Sequence, residues 1–213
     1  MPSRPTRQSR KPPPPTTVLL VRHGQTPTTG DVLPGRAKGL HLADKGREQA
    51  ESAAARIAQA TAESKPTAVY ASPLERTRET AAPIAKALGL RVATDRGLLE
   101  CDFGDWTGGK LKELSKRPEW RTVQRYPSGF RFPNGESFAE MQTRITGALA
   151  RLVARHQGET IVCVSHADPI KAAVADALGT HLDLFQRIVI SPCSVTTIAY
   201  TDGGPSVLGV NVV

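Results

Sequence analysis

Residues 17–26 read Thr-Val-Leu-Leu-Val-Arg-His-Gly-Gln-Thr, so that four apolar residues run directly into an arginine, a histidine and a glycine. This pattern is typical of a buried parallel strand that ends at a polar site. Because open α/β sheets bind ligands at the carboxyl ends of their strands, Arg22 and His23 are expected to lie at a ligand site. A guanidinium can bind two oxygens of an anion while an imidazole acts as nucleophile or donor, so the pair favours a phosphate-containing ligand.

A second short apolar segment, residues 68–71, also runs into a polar turn. A helix is predicted over 77–88, and Gly89 stands where a left-handed cap is favoured. Arg76 then lies at or just before the start of this helix, where the helix dipole disfavours a cation. A bound anion would account for an arginine there, although an ion pair with a neighbouring glutamate is the simpler alternative.

The pattern occurs a third time, where the apolar run 160–164 is followed by Ser-His-Ala-Asp-Pro. A single histidine at a strand end is more often structural than catalytic. Three parallel-type strands that each end on residues suited to phosphate would, however, bring His23, Arg76 and His166 to one edge of the sheet. This convergence favours catalysis over binding alone.

An irregular stretch, residues 97–106, mixes three acids with large apolar side chains. Acids among aromatic residues and glycines are candidates for the raised pKa that a general acid needs near neutral pH. The pattern leaves Glu100, Asp102 and Asp105 as alternatives. For any one of them, a solvated loop carboxylate is the default interpretation.

Periodicity and turn residues predict the remaining elements. They are a helix over 45–63 with Asp44 as its N-cap, a strand over 90–93, a short helix over 111–116, a long amphipathic helix over 136–157, and closing strands over 185–190, 194–200 and 207–212. Residues 107–135, rich in proline, glycine and aromatic side chains, are predicted to form a lid over the site.

Composition predicts one globular domain with a tail. The chain has 213 residues, 39% of them hydrophobic, and no apolar run approaches the roughly 18 residues that span a bilayer. Cys101, Cys163 and Cys193 form no Cys-x-x-Cys pair, which favours a reducing compartment without structural zinc. With no apolar secretory segment at the N-terminus, the protein is predicted to be cytoplasmic and to have no membrane partner.

Half of the net charge of +8 lies at the N-terminal end of the chain. Residues 1–17 carry four basic residues and no acid, and the rest of the chain carries 24 bases against 20 acids. This mild remainder argues against a nucleic-acid partner and suits a small phosphorylated ligand. Residues 1–16, rich in proline and arginine, are predicted to be a disordered tail before a domain at 17–213.

Four blocks in order resemble the histidine phosphatase superfamily, in its phosphoglycerate-mutase-like branch. They are Arg-His-Gly at 22–24, Ser-Pro-Leu-Glu-Arg-Thr-Arg-Glu-Thr at 72–80, Glu-Cys-Asp-Phe-Gly-Asp-Trp-Thr-Gly at 100–108 and Val-Ser-His at 164–166. The chain is most similar to a group from high-GC bacteria described as probable phosphomutases. The resemblance implies a three-layer α/β fold, with a mostly parallel mixed sheet and helices on both faces, and no metal or organic cofactor.

The resemblance also implies roles for individual residues. His23 matches the nucleophile that becomes a phosphohistidine, and Glu100 matches the proton donor, which then acts as base on water. The groups that match the binders of the phosphoryl oxygens are Arg22, Arg76 and His166. Phosphoryl transfer has a loose transition state with charge on three oxygens, so such cations can supply the stabilisation.

Three positions depart from the family pattern. Thr29 stands where many relatives have a phosphate-binding asparagine, so its shorter hydroxyl is the candidate contact there. Ala167 stands where glycine commonly follows the second histidine, and it would be strained if the backbone needs a positive φ. His41-Leu42 replaces the usual Pro-Leu.

The leading prediction is a metal-independent phosphomonoester hydrolase that acts on a small phosphorylated metabolite. The first alternative is a phosphomutase of the phosphoglycerate mutase type, which differs in how well residues 107–135 exclude water. A non-catalytic module that binds a phosphorylated ligand is a further alternative. The physiological substrate and the oligomeric state stay open, with a homodimer among the alternatives.

Overall fold

A six-stranded sheet forms the centre of the structure, a computed structural model that describes residues 13–213. Its strands are β1 (Thr16–Arg22), β2 (Ala68–Ala71), β3 (Val92–Thr94), β4 (Thr160–Ser165), β5 (Val195–Thr201) and β6 (Gly204–Val212). The order across the sheet is β3-β2-β4-β1-β5-β6. The first four run parallel, and β5 and β6 are antiparallel to their neighbours. The prediction of a mixed, mostly parallel sheet is confirmed.

Helices cover both faces of this sheet. They are α1 (Asp44–Ala60), α2 (Glu75–Leu88), α3 (Leu111–Leu114), α4 (Trp120–Arg125), α5 (Phe138–Arg155) and α6 (Ala167–Ala177). Successive residues of a strand point to opposite faces. Leu19 and Val21 of β1 therefore pack with α1 and α2, whereas Val18 and Leu20 pack with α5 and α6. The apolar run of β1 is thus buried on both sides, which confirms the three-layer architecture.

Two of the predicted elements are wrong. Ala43, not Asp44, is the N-cap residue of α1, and Asp44 is the first helical residue, where its carboxylate pairs with Arg47. The predicted strand over 185–190 is replaced by a 3₁₀ helix, Leu182–Arg187. The buried side chains there, Leu182 and Phe185, are three residues apart, which is the period of a 3₁₀ helix.

The predicted tail falls almost wholly outside the described residues, because the structure describes nothing before residue 13. Thr16, which was placed in the tail, is instead the first residue of β1 and is buried. Its hydroxyl donates to the carbonyl of His156 at 3.2 Å and accepts from the N–H of Gly158 at 2.9 Å. Within residues 13–213, no helix is both long and apolar enough to cross a bilayer.

The loop that follows β1 packs directly on the start of α1. A Cβ atom added to Gly46 would lie 2.0 Å from the carbonyl oxygen of Gln25, and one added to Gly24 would lie 2.5 Å from the carbonyl oxygen of Gly46. In both cases the added Cβ atom would clash with a backbone carbonyl group, so a side chain at either position must displace the loop.

We therefore expect the substitution Gly46→Ala to lower the free energy of unfolding by roughly 1–3 kcal/mol, as overpacking typically does. Gly147→Ala is the matched control, because it lies in the helix α5 and its Cβ would meet nothing within 4 Å. The control should be neutral or up to about 1 kcal/mol more stable, since alanine is the better helix former. Urea unfolding of the two variants measures the difference, and equal stabilities would contradict this account of the loop.

Candidate active site

The register of the sheet brings three strand ends together. Arg22 is paired with Ser165 across β1 and β4, and the N–H of His23 donates to the carbonyl of Ser165 at 3.0 Å. At the end of β2, the N–H of Ser72 donates to the carbonyl of Val164 at 3.0 Å. The ring centroids of His23 and His166 are consequently only 5.1 Å apart. The predicted convergence of the strand ends is present in the structure.

His23 is held in a defined protonation state. Its Nδ1 lies 2.7 Å from the carbonyl oxygen of Gly24, and a carbonyl only accepts, so Nδ1 carries the hydrogen and Nε2 the lone pair. The Nε–H of Arg76 donates to that Nε2 at 3.3 Å. Burial, and then the charge of Arg76, lower the pKa of His23 to about 3. The imidazole is therefore neutral throughout the physiological range, with its free nitrogen beside a guanidinium.

The two arginines are anchored by backbone carbonyls. Arg76, the second residue of α2, is fully buried and donates from Nη2 to the carbonyl of Gly35 at 2.7 Å. Arg22 donates from Nη1 to the carbonyl of Ile190 at 2.6 Å. Burial lowers the pKa of both guanidiniums, and the carboxylate of Glu100 opposes that effect.

Three buried nitrogens of this group have no hydrogen-bond partner within the described chain, residues 13–213. They are Arg22 Nε, Arg76 Nη1 and His166 Nδ1. His166 uses its other ring nitrogen, Nε2, for a 2.9 Å contact with the hydroxyl of Ser72. A buried polar nitrogen without a partner costs about 1–3 kcal/mol, and more when it is charged. An anion with several oxygens would remove that cost at all three positions.

Glu100 enters the same site from the loop after β3. Its side chain is 93% buried by area, with 7% exposed, and Oε1 accepts from the N–H of Cys101 at 2.9 Å. Burial, and then the negative charge of Asp168, raise the pKa of Glu100 to about 7. The carboxyl group can therefore be protonated near neutral pH, as the role of proton donor requires.

A cavity of about 210 Å³ lies beside these groups, and we call it the phosphate cavity. Arg22, His23 and Glu100 line it together with Thr29. The hydroxyl of Thr29 accepts from the N–H of Thr26 at 2.8 Å and lies 3.0 Å from the hydroxyl of Thr26. Because its oxygen already accepts, Thr29 can offer its hydrogen to a bound anion.

The other two departures from the family pattern do not disturb the site. Ala167 is the first residue of α6, and it is not among the non-glycine residues with positive φ in the described part of the chain. Alanine is thus unstrained at this position. His41 lies outside the phosphate cavity and pairs with Glu79.

Sequence reasoning missed Asp168. This residue lines the phosphate cavity, adds negative charge beside Glu100, and pairs with Lys171 at 3.2 Å. It stands two positions after His166, so its neighbourhood in the sequence could have drawn attention to it. It gave no other signal, because an acid in the first turn of a helix is favoured by the helix dipole alone.

Sequence reasoning also missed a group of ionic side chains that holds the backbone of Glu100. The carbonyl of Glu100 accepts from Arg36 Nε at 2.9 Å and from Arg144 Nη2 at 3.2 Å. Glu136 bridges the two arginines, with 2.8 Å contacts to each. These three residues come from the loop after β1, the segment before α5 and α5 itself, so no local pattern relates them.

Aromatic side chains pack against one another beneath and within residues 107–135, the segment predicted as a lid. Trp106 and Phe132 are buried with their ring centroids 5.4 Å apart, and Trp120 of α4 stacks on Trp106 at 6.3 Å. Leu111 of α3 reaches the phosphate cavity. Within residues 13–213, no group of three or more His, Cys, Asp or Glu side chains is arranged to hold a metal ion.

Comparison with known proteins identifies the family. The family model of the histidine phosphatase superfamily (branch 1) matches residues 18–213. The chain belongs to the histidine phosphatase superfamily. This histidine phosphatase is 32% identical over 200 residues to phosphoserine phosphatase 1 of Hydrogenobacter thermophilus, and the match covers 92% of each chain. The resemblance inferred from the four sequence blocks is confirmed.

Two further matches bear on the extent of this histidine phosphatase. It is 33% identical over 196 residues to a Mycobacterium tuberculosis protein named as bifunctional. The match covers 91% of this chain but only 53% of that protein. The structure of the Entamoeba histolytica phosphoserine phosphatase with 3-phosphoglyceric acid superposes with a TM-score of 0.82 at 26% identity. That match covers 93% of this chain and 98% of the other, so the fold is shared throughout.

Proposed function

We propose that this histidine phosphatase hydrolyses small phosphomonoesters through a phosphohistidine on His23, without a metal ion. The observation that carries the proposal is the neutral, buried Nε2 of His23, which lies beside the guanidinium of Arg76 in the same site as the carboxyl group of Glu100. Relatives named phosphoserine phosphatases support a small phosphorylated metabolite as substrate.

In the first step, Nε2 of His23 attacks phosphorus. The N–P bond forms as the bond from phosphorus to the ester oxygen breaks, and the carboxyl group of Glu100 gives its proton to the departing alkoxide. The hydrogen bond from Nδ1 of His23 to the carbonyl of Gly24 orients the ring and stabilises the positive charge that it gains. Glu100 ends this step as a carboxylate.

In the second step, water replaces the alcohol. The carboxylate of Glu100 takes a proton from water as the water oxygen attacks phosphorus and the N–P bond breaks. Phosphate leaves, His23 is again neutral, and Glu100 is again protonated. One carboxyl group thus serves both half-reactions, which its pKa of about 7 allows.

The unpartnered nitrogens are assigned to the phosphoryl oxygens. Arg22 Nε and Arg76 Nη1 supply charged donors, and His166 Nδ1 supplies a third donor if Ser72 donates its hydroxyl hydrogen to His166 Nε2. The hydroxyl of Thr29 is assigned a fourth contact. Fixed donors of this kind stabilise the charge of a loose phosphoryl-transfer transition state without reorganising.

Three sequence predictions stay predictions within this proposal. We assign residues 107–135 the role of a lid because Leu111 lines the phosphate cavity. A cytoplasmic location and a homodimer are consistent with the chemistry but do not follow from it.

The experiment that tests the proposal traps the phosphoenzyme. Incubation with an aryl phosphate in excess chelator, followed by alkaline quenching, should leave an acid-labile phosphoryl group that peptide mass spectrometry places on His23. Phosphate should accumulate with unchanged rate at all chelator concentrations. Loss of turnover in chelator, or a phosphoryl group on another residue, would overturn the mechanism. Conversion of 3-phosphoglycerate to its 2-isomer without phosphate release would instead establish the mutase alternative.

The pH dependence follows from the two perturbed pKa values. Glu100 must be protonated for the first step and its pKa is raised to about 7, so kcat/KM for an alkyl phosphate should fall as pH rises through 7. His23 must be neutral and its pKa is lowered to about 3, so it imposes no loss until pH approaches 3.

The variant Glu100→Gln isolates the contribution of this carboxyl group. Its kcat/KM for an alkyl phosphate should be about 10²- to 10⁴-fold lower and should no longer fall through pH 7. The kcat/KM for an activated aryl phosphate should fall far less, because its leaving group needs no proton. If kcat/KM of the variant for an alkyl phosphate still falls as pH rises through 7, another group donates the proton.

A further inference from the structure

A second cavity adjoins the phosphate cavity. It has a volume of about 540 Å³, and it shares Leu33, Phe103, Leu111 and Asp168 with the phosphate cavity. Because Glu100 lines the phosphate cavity and must reach the ester oxygen, an alcohol bound there would extend toward these four shared side chains. We call the larger space the leaving-group cavity.

The walls of the leaving-group cavity are mainly apolar. Beyond the shared residues, the apolar lining consists of Trp120, Val123, Phe132 and Phe138, and the polar lining consists of Lys112, Ser115, Gln124, Lys171 and Gln186. Phe132 and Phe138 are almost fully buried and form its floor. An aromatic or branched aliphatic group placed against these rings would remove apolar surface from water, at about 25 cal/mol per Å².

The charges around the two cavities disfavour an acidic alcohol. Asp168 lies at the junction, and Glu100 becomes a carboxylate once it has given up its proton. Two lysines line this cavity: Lys171 is already bound to Asp168 at 3.2 Å and to the amide oxygen of Gln186 at 3.1 Å, and Lys112 is exposed. A carboxylate on the alcohol would therefore meet the like charge of Asp168 at the junction, whereas the charge of the exposed Lys112 is screened by solvent.

We propose that the substrate is the monophosphate ester of an uncharged alcohol that carries an aromatic or branched aliphatic group, and that this group occupies the leaving-group cavity. The inference rests on the proposed function, since it assumes that Glu100 marks the position of the ester oxygen. It separates this chain from relatives named for phosphoserine, whose alcohol carries a carboxylate.

The first test compares three esters of primary alcohols at one pH: 3-phenylpropyl phosphate, ethyl phosphate and 3-phosphoglycerate. Phenylpropyl phosphate should have a kcat/KM at least about tenfold above that of ethyl phosphate, because a few buried methylenes suffice for that factor. The value for 3-phosphoglycerate should lie below that for ethyl phosphate. If 3-phosphoglycerate is the best of the three, the proposal is overturned.

The second test fills the leaving-group cavity without disturbing the core. Ser115 lines this cavity yet is exposed, so Ser115→Trp should fold normally and obstruct the space. The ratio of kcat/KM for phenylpropyl phosphate to that for ethyl phosphate should fall to near one. The matched control is Ser64→Trp, an exposed serine that lines neither cavity, in which this ratio should persist. If phenylpropyl phosphate keeps its higher kcat/KM over ethyl phosphate in Ser115→Trp, the proposal is overturned.

The variant Asp168→Asn tests the electrostatic part. The ratio of kcat/KM for 3-phosphoglycerate to that for ethyl phosphate should rise several-fold, because the junction loses its negative charge. A ratio that does not change would contradict this part of the argument.

Failure of the inference can be told apart from failure of the proposed function. If His23 forms a phosphohistidine with an aryl phosphate but the order of the three esters is reversed, only the substrate class is wrong. If no ester is hydrolysed and no phosphohistidine forms, the proposed function is wrong as well.

Discussion

Replacing His23 by alanine is expected to lower kcat for phosphomonoester hydrolysis by at least about 10⁴-fold, the scale of loss seen when a covalent nucleophile is removed. In the structure, Nε2 of this histidine lies beside the guanidinium of Arg76 and in the same cavity as Glu100. Water would have to attack the ester directly in the variant. Phosphate release in chelator and phosphoenzyme trapping measure the two consequences together.

The matched control for this prediction is His181→Ala. His181 is 68% exposed and does not line the phosphate cavity, so its removal should leave kcat within about twofold of the unaltered enzyme, as for most surface substitutions. Circular dichroism should show that both variants are folded, because the pairing of β1 with β4 uses only backbone groups. Turnover of His23→Ala within a hundredfold of the unaltered enzyme would mean that the nucleophile lies elsewhere.

Replacing Arg76 by alanine should also be severely damaging, with a loss of about 10³-fold in kcat/KM, as for other donors that stabilise a transferring phosphoryl group. The variant should also carry a distinctive pH signature. After burial, the charge of Arg76 is the main cause of the lowered pKa of His23. Without that charge the pKa of His23 should rise, so the acid limb of the pH profile should move upward from near 3.

The control for Arg76 lies on the same helix. Arg78 is two residues further along α2 and exposed, so Arg78→Ala changes the same residue type without touching the site. It should alter neither kcat/KM nor the acid limb. A loss of activity in Arg76→Ala without any movement of the acid limb would indicate that Arg76 acts only through the fold, by its hydrogen bond to the carbonyl of Gly35.

The sequence alone was sufficient where the signal is local. Three apolar runs predicted three strands, their parallel direction and the convergence of their ends. These runs end on Arg22-His23, on the turn before Arg76 and on Ser165-His166. These predictions are confirmed because burial on both faces demands an unbroken apolar run, and because parallel strands place their carboxyl ends at one edge. The predicted strand over 185–190 failed because Phe185 is buried together with Leu182, three residues earlier and outside the predicted strand, as in a 3₁₀ helix.

The choice among the three acids shows what a local pattern cannot supply. Asp102 has a side chain that is 40% exposed and pairs with Arg36 at 3.4 Å, and Asp105 accepts from the side chain of Asn134 at 3.0 Å. Only Glu100 is buried in the phosphate cavity. The resemblance to the family pointed to Glu100, but composition left all three acids equivalent, because a raised pKa depends on surroundings that fold in from elsewhere.

The sequence by itself therefore determined the family and the layered sheet. It also predicted that Arg22, His23, Arg76 and His166 meet at one edge, since Arg22 ends β1, His23 and His166 directly follow β1 and β4, and Arg76 lies in the first turn of the helix after β2. Only the tertiary structure decided which nitrogens lack partners within residues 13–213, what raises the pKa of Glu100, and which side chains line the two cavities. The physical reason is the separation along the chain of the residues that set each property. Strand formation depends on neighbours in the chain, whereas charge, burial and cavity shape are set by side chains more than a hundred residues apart, such as Arg36 and Arg144 on one carbonyl.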